Sequence, residues 1–370
     1  MGKYKIAALG KSFNYEMLEI LHSVPITTDS ISLCFDRQPD IFRMAEIKYD
    51  PFFYLGFFHE QKLEGFVLNG YYRALINGTA ESVFHFTDYY INHDSRGKGF
   101  GYQISEHFFR ETYNNARLGF SIIMDGNNEA LGLIGRRHPK YPYVPWSKII
   151  NKLEVKTIIL AWPVKTDPSF DIRHASLEDI PRIVELLNLE HKNRLFGMTF
   201  SETTFQKLLA GRPGFSIDSY YLAIDKSKNI CGVCAAWDCT SFKQTRVIRY
   251  GARFFPTRVG HWFLAGLYGL PTLPDAGEAF RDITLIDYAV MDRNVNIMKA
   301  LLKVIYNDYR KKGYHTIIWG SSADDPLLQS CGEFFHQSVI SNIVLMSTKP
   351  ELIEDGAVQN YLPFIDISCL

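Results

Sequence analysis

The chain has 370 residues, with 40 Lys and Arg against 40 Asp and Glu and with 46% hydrophobic residues. That length predicts two domains, and the zero charge balance excludes a protein whose main partner is a polyanion, because phosphate-backbone binding leans on a cationic surplus. The 27 Phe and 21 Tyr exclude a disordered chain.

The start, MGKYKIAALGKSFNYE, turns polar after a short apolar run and carries no cleavage-site pattern. No later stretch reaches the roughly 20 apolar residues of a membrane helix, so the sequence predicts a soluble cytoplasmic protein that engages no membrane and no nucleic acid. Strand-like and helix-like patterns alternate throughout, which predicts a mixed α/β (α+β) protein built on twisted, mainly antiparallel sheets flanked by helices. Residues 54–75 read as two strands joined by a turn at Glu60 to Lys62, and ESVFHFTDYYI (81–91) as a third strand. Helical spacing runs from Gly99 to Tyr113, FSIIM (120–124) returns to strand, and a Pro-rich patch, HPKYPYVPW, covers 138–146. VKTIILAWPV (155–164) is strand-like and leads into a linker, TDPSF, at 166–170.

After the linker the element order begins again. Residues 170–191 read as a short strand, a turn and a helix capped by Ser176 with Asp179 at its third position. Paired strands follow at 220–238, then the strand DITLIDYAVM, a long helix, and the strand HTIIWGSS. The expected domains are therefore 1–165 and 170–370, alike in element order without a close sequence repeat. Cys231, Cys234 and Cys239 lie in NICGVCAAWDC, which reads as a buried strand; with no second CxxC and no nearby His, no metal site is expected.

The chemistry concentrates at Arg96, Gly97, Lys98, Gly99, Phe100 and Gly101, between the 81–91 strand and the next helix. Glycines at alternate positions let a ligand approach the backbone, and successive N–H groups at a helix start form a concavity of positive potential that suits a pyrophosphate. Arg96 and Lys98 could add charge to it. A dinucleotide fingerprint would need glycine where Tyr102 stands, and a triphosphate loop would need a Gly-Lys-Ser/Thr ending that is missing.

INHDSRGKGFGYQISEHF resembles the acetyl-coenzyme A signature of the GNAT acyltransferase family, Arg/Gln-x-x-Gly-x-Gly/Ala, with Arg96, Gly99 and Gly101 on its positions. NNEALGLIGR is similar to the family's Asn-x-x-Ala segment through Asn127 and Ala130. The resemblance implies an acyl-coenzyme A site built from the main chain of Tyr90, Ile91 and Asn92 and of Arg96 to Tyr102. It also implies direct acyl transfer to an amine of a small molecule or protein, with no metal. The family's thiolate-protonating tyrosine would fall at position 134, where Ile134 stands; Tyr141 and Tyr143 are the nearby alternatives, or they simply pack the Pro-rich loop. Counting eleven residues back from Arg96, where some members place a base, gives His85. Period-two alternation puts His85 on one face with Thr87 and Tyr89, and Asp88 on the other. A neutral imidazole there could take the amine proton, or His85 is a half-buried strand histidine.

In the second half the corresponding loop, Asp292 to Asn296, has no glycine, which predicts a lost cofactor site. The resemblance is then to tandem GNAT proteins in which one half keeps the cofactor. Residues 249–274 read as a lid or as packing between domains, and Asp324 and Asp325 as an amine site or as a turn or cap. Two other readings stay open, a noncatalytic acyl-coenzyme A sensor and a transfer-RNA-dependent aminoacyl transferase.

Overall fold

The computed structural model describes residues 4–112, 116–135, 140–354, 356, 358–359 and 361–370. The end of the expected 99–113 helix at Tyr113, and His138 and Pro139 of the Pro-rich patch, lie outside the described residues. The first half runs β1 (Tyr4–Leu9), α1 (Asn14–His22), β2 (Ile26–Thr27), β3 (Ile31–Asp36), α2 (Phe42–Lys48), β4 (Phe52–His59), β5 (Lys62–Ile76) and β6 (Thr79–Ile91). It continues through α3 (Phe100–Thr112), β7 (Leu118–Met124), α4 (Asn128–Gly135) and β8 (Trp146–Ile159). The second half comprises β9 (Asp171–His174), α5 (Ile180–His191), α6 (Glu202–Gly211), β10 (Tyr220–Ile224), β11 (Ile230–Trp237) and β12 (Gln244–Tyr250). It ends with α7 (Phe255–Tyr268), β13 (Asp282–Val290), α8 (Val295–Lys311), β14 (Thr316–Ser322) and β15 (His336–Ser347).

Twelve of the strands form one mixed sheet in the order β1-β4-β5-β6-β7-β15-β8-β14-β13-β11-β10-β9. The order is the same from either edge. Each half lays down its antiparallel strands, closes them with one parallel pair (β6 with β7, β13 with β14), and the long antiparallel pair β8 and β15 joins them at the midline. Strand β15, from the second half, lies against β7 of the first, and β8 lies against β14 of the second. The seam is laid down by twelve residue pairs from His336–Ile158 to Ser347–Trp146, so each half depends on a strand from the other. A second, three-stranded sheet, β12-β3-β2, also joins the halves.

The predicted mixed α/β class and the paired strands of both halves are present. Glu60 and Gln61 make the β4–β5 turn in left-handed backbone, with φ of 47° and 72°, the conformation a two-residue hairpin turn uses. Ser176 and Asp179 bond reciprocally as a capping box, which satisfies N–H groups that a helix start leaves open. Helices pack on both faces: on one, Phe100, Ile104, Phe108 and Phe109 of α3 meet Phe57, Phe84 and Phe86 of the sheet and Ile297, Leu301 and Ile305 of α8 meet Ile283 and Leu285, and on the other Met17, Leu18 and Leu21 of α1 meet Tyr54, Phe66 and Leu68. Helices α1 and α2 and strands β12 and β15 were not expected. The start of the segment 249–274 does pack against the first half: Arg249 and Tyr250 of β12 pair with Ser32 and Ile31 of β3, and the Gly251 N–H donates to the Ser30 carbonyl. Helix α7 within it exposes Phe255, Val259 and Phe263 on the surface. No helix among the described residues is long and apolar enough to cross a membrane.

Candidate functional site

Strand β6 carries a bulge. Phe66 pairs with Tyr90 and Leu68 with Thr87, so Asp88 and Tyr89 together oppose Val67, and Asp88 takes a φ of 48°. A bulge shifts the alternation by one residue, and this corrects the expectation that His85, Thr87 and Tyr89 share a face. Phe84, Phe86, Tyr89 and Ile91 belong to the α3 side of the sheet, while Tyr90 joins the opposite core beside Phe66 and Leu68. Asp88 lies beside the buried guanidinium of Arg37, 3.8 Å away.

Just before the bulge the sheet opens. Strands β6 and β7 pair in parallel only at Val83–Leu118, Phe84–Gly119 and His85–Phe120, and beyond that rung β7 stays with β15 through Met124. The free edges of β6 from Phe86 and of β7 from Ser121 therefore line a split whose floor is the His85–Phe120 rung. His85 is fully buried there. Its ring stacks on Phe120 at 4.3 Å, Phe120 packs on Phe196 at 4.6 Å, and Nδ1 shares a 2.6 Å hydrogen bond with the Tyr49 hydroxyl. Nε2 has no partner among the described residues. Burial, reinforced by the charge of Lys48, holds the imidazole well below its usual basicity, which favours its neutral form.

At the mouth of the split the loop Asn92–Gly99 leads into α3. Glu64 holds its start: the Asn92 backbone N–H donates to the Glu64 carbonyl (2.8 Å), and Asn92 Nδ2 and Ser95 Oγ donate to its carboxylate at 3.0 and 3.1 Å. Burial alone would raise the Glu64 carboxyl; those donors and Lys62 hold it below the usual range. Phe100 pins the helix start between Phe57 and Tyr4, at 4.0 and 4.6 Å. Gly97 and Gly99 have φ of 72° and 79°, and a Cβ on either would point into open space. Their conformation, and not crowding, is what requires glycine. The backbone N–H groups from Gly97 to Gly101 donate to no acceptor among the described residues. Five adjacent donors at the positive end of a 13-residue helix make an anion cradle.

The remaining expected site residues scatter around this cradle. Arg96 is exposed and turns its Nε back to the Ile91 carbonyl at 3.3 Å, and Lys98 is exposed. Tyr102 stacks on Tyr141 at 5.5 Å with parallel rings and donates to the Gly132 carbonyl, so Tyr141 stands near the cradle while His85 lies at the floor, on the opposite face from α3. Tyr143 is partly exposed, with its N–H on Glu106. Asn127 caps α4 by accepting the Ala130 N–H at 3.1 Å, and Ala130 packs on the α3-side core. Glu64, Tyr49 and Arg37 were not singled out in the sequence. Glu64 carried no motif, and Tyr49 and Arg37 act across long sequence separations. The one readable signal was an Asp-Tyr pair ahead of each loop, at 88–89 and 287–288.

The second half repeats the framework and fills it. Strands β13 and β14 pair through Thr284–Ile318 and then part, and Asp287, at a φ of 45°, makes the same bulge. Between Val290 and Val295 only residues 291–294 remain, against 92–99 in the first half. Asn294 caps α8, and Arg293 is tied to Glu190 and Asp325. Trp319 stands one residue past the last rung, where the first half has Ser121, and its ring meets Tyr288 edge-on at 5.4 Å. On the other side Phe364–Ile367 face Leu285–Tyr288 and Gly320 across a small cavity, and a Cβ on Gly320 would lie 2.9 Å from Ile367 Cγ2. Asp325 is buried on Arg194 and Ser321 and caps the turn at Leu327, which is the cap reading in a buried setting.

No protein-family model matches the chain, and no curated protein matches its sequence. Solved structures do. The N-myristoyltransferase of Saccharomyces cerevisiae with bound myristoyl-CoA superposes with a TM-score of 0.60 at 12% identity, covering 94% of this chain and 83% of that one. A GCN5-related N-acetyltransferase from Sphaerobacter thermophilus gives 0.52 at 12% identity over 80% of this chain and 81% of that one. A GCN5-related glucosamine N-acetyltransferase region of a fungal multi-domain GH3 beta-N-acetylglucosaminidase gives 0.61 at 9%, over 94% of this chain and 38% of that one. The chain has the GNAT fold.

Proposed function

We propose that the protein is an acyltransferase that holds an acyl-coenzyme A in the β6–β7 split and passes the acyl group directly to an amine of a small molecule or protein. The observation that carries this reading is the cradle of unpaired N–H groups from Gly97 to Gly101 at the start of α3, where two positive-φ glycines leave room for a pyrophosphate. The solved structures of similar fold add weight, since one of them is described with bound myristoyl-CoA. From the cradle the pantetheine arm would follow the main chain of Asn92, Ile91 and Tyr90 into the split and bring the thioester to the bulge. The floor at His85 and Phe120, backed by Phe196, favours acetyl or a similarly short acyl group.

In this reading the protein contributes placement, which raises the effective concentration of the reactants. A neutral, buried His85 is a weak store for a proton. It orients the amine, directly or through water, with Nε2, and the proton released by the attacking nitrogen leaves to solvent. Asn127 and Ala130 hold α4 against the α3 side of the split. Titration calorimetry with acetyl-coenzyme A, followed by thiol release across a panel of amines, tests the proposal. Binding with thiol release supports it, binding without release across the panel favours the sensor, and absence of binding ends it.

A further inference from the structure

Acyl transfer leaves a thiolate that needs a proton, and position 134 offers isoleucine. The bulge at Asp88 turns Tyr89 onto the α3 side of the split. Its hydroxyl is shut off from solvent and has no hydrogen-bond partner among the described residues. A methyl group on Gly101 would lie 2.8 Å from Tyr89 Oη and 3.1 Å from Leu133 Cδ2. The hydroxyl therefore sits between the first turn of α3 and the turn of α4 that ends next to position 134. The second half supplies the control. Tyr288, which follows the matching bulge, donates to Ser321 Oγ at 2.9 Å, three residues past the last β13–β14 rung. The residue three past the last β6–β7 rung is Ile123, which has no acceptor to offer.

A buried hydroxyl left without a partner costs stability, and one half of this fold has satisfied its tyrosine while the other has not. We infer that Tyr89 is a catalytic residue, the acid that protonates the departing coenzyme A sulfur, an inference that rests on the acyl-coenzyme A reading above. The amine nitrogen attacks the thioester carbon, the C–N bond forms, the C–S bond breaks, and its electron pair goes to sulfur. Tyr89 Oη–H gives its proton to that sulfur. The nitrogen loses its proton to water, and the tyrosine oxygen recovers one from water that enters the split when the products leave. The products are an amide and the free thiol. Burial raises the Tyr89 hydroxyl above its ordinary value, which keeps it in the donor form through the neutral range.

The test replaces Tyr89 by Phe and uses Tyr288→Phe as the matched control. Turnover is read as thiol release from acetyl-coenzyme A with hydroxylamine as acceptor, so the natural amine need not be known. Donor affinity is read by calorimetry, and folding by thermal melts. Tyr89→Phe is expected to lower kcat on the order of 10²-fold, within the usual range for a general acid, with the dissociation constant for acetyl-coenzyme A unchanged and Tyr288→Phe at wild-type turnover. A kcat within two-fold of wild type overturns the assignment. So does a loss that appears wholly as weaker donor binding, which would make Tyr89 a contact to the cofactor and no acid. Failure of the wild-type protein to bind acetyl-coenzyme A overturns the acyl-coenzyme A reading itself, a result separate from either.

Discussion

Asp88 and Asp287 occupy the same point of the two halves: each sits in left-handed backbone, at φ of 48° and 45°, each begins a bulge followed by tyrosine, and each faces a buried arginine, Arg37 or Arg212. Left-handed backbone costs a side-chain-bearing residue on the order of 1–2 kcal/mol, least for Asp and Asn. The ion pair holds the carboxylate where the bulge needs it. In the second half Asp287 also accepts from Tyr220 at 2.7 Å.

Removing Asp287 would strand a buried guanidinium, a change that typically costs 3–5 kcal/mol, roughly, when one partner of a buried pair is lost. Asp287→Ala is expected to lower the urea midpoint accordingly while acetyl-coenzyme A affinity, read by calorimetry, stays as it was. Asp88→Ala is expected to lower both, because its bulge shapes the split that the donor occupies. Equal effects of the two on affinity would show that the halves do not differ in this respect.

Gly97 and Gly99 offer a cleaner test of the cradle, because a Cβ on either meets no atom within 4 Å. Replacement by Ala strains the backbone alone, at about 1–2 kcal/mol. The expected signature is a small drop in melting temperature with a loss of acetyl-coenzyme A affinity of tenfold or more. A variant that melts lower and binds as wild type would remove the loop from the site.

Much of this arrangement was legible in the sequence, for physical reasons. The glycine-rich loop reads directly because positive φ and an open cradle demand a residue type that the sequence displays. The paired strands read because period-two patterning and the Glu60–Gln61 turn are local. What could not be read is set by distant contacts. Strand β15 has no local mark that it crosses to β7, Asp88 does not announce that it shifts the alternation and sends Tyr89 to the helix side, and Tyr49 reaches His85 only because β5 and β6 bring them together. His85 was placed on its strand correctly but its full burial was not evident, since that burial comes from Phe196 and Tyr49, far along the chain.

Two histidines tie stability to pH. Burial holds His85 well below its usual basicity and brings His191 down to about 4. Both are neutral in the fold, whereas the unfolded chain takes up their protons below about pH 6.5. The unfolded state then binds more protons, so stability falls as the pH drops from about 6.5, and the His191 share reaches roughly 3 kcal/mol at pH 4. Asp282, raised to about 6 by burial, acts oppositely between there and the ordinary carboxyl range, so the test is a difference. Urea midpoints of wild type and His191→Gln at pH 7.5 and 4.5 should diverge at the higher value and converge at the lower. Gln keeps an acceptor for the Met198 N–H that His191 Nδ1 now receives at 2.8 Å. A gap that does not change with pH would refute the linkage.

The filled second split makes a prediction of number. Trp319 occupies the helix side where the first half has Ser121, Arg293 is committed to Glu190 and Asp325, and only residues 291–294 connect β13 to α8. A pyrophosphate there would find no positive-φ glycine in the connection and a loop four residues shorter than 92–99. Calorimetry is therefore expected to give one acetyl-coenzyme A per chain, with Gly99→Ala weakening that single site. Trp319→Ser should open space without creating a second site, because the connection stays short, and should cost about 3–5 kcal/mol, the usual range for truncating a buried tryptophan. Two equivalents bound to the wild-type chain would give the second half a donor site of its own, and one equivalent left at full affinity when the Gly97–Gly101 loop is altered would place the donor in the second half instead.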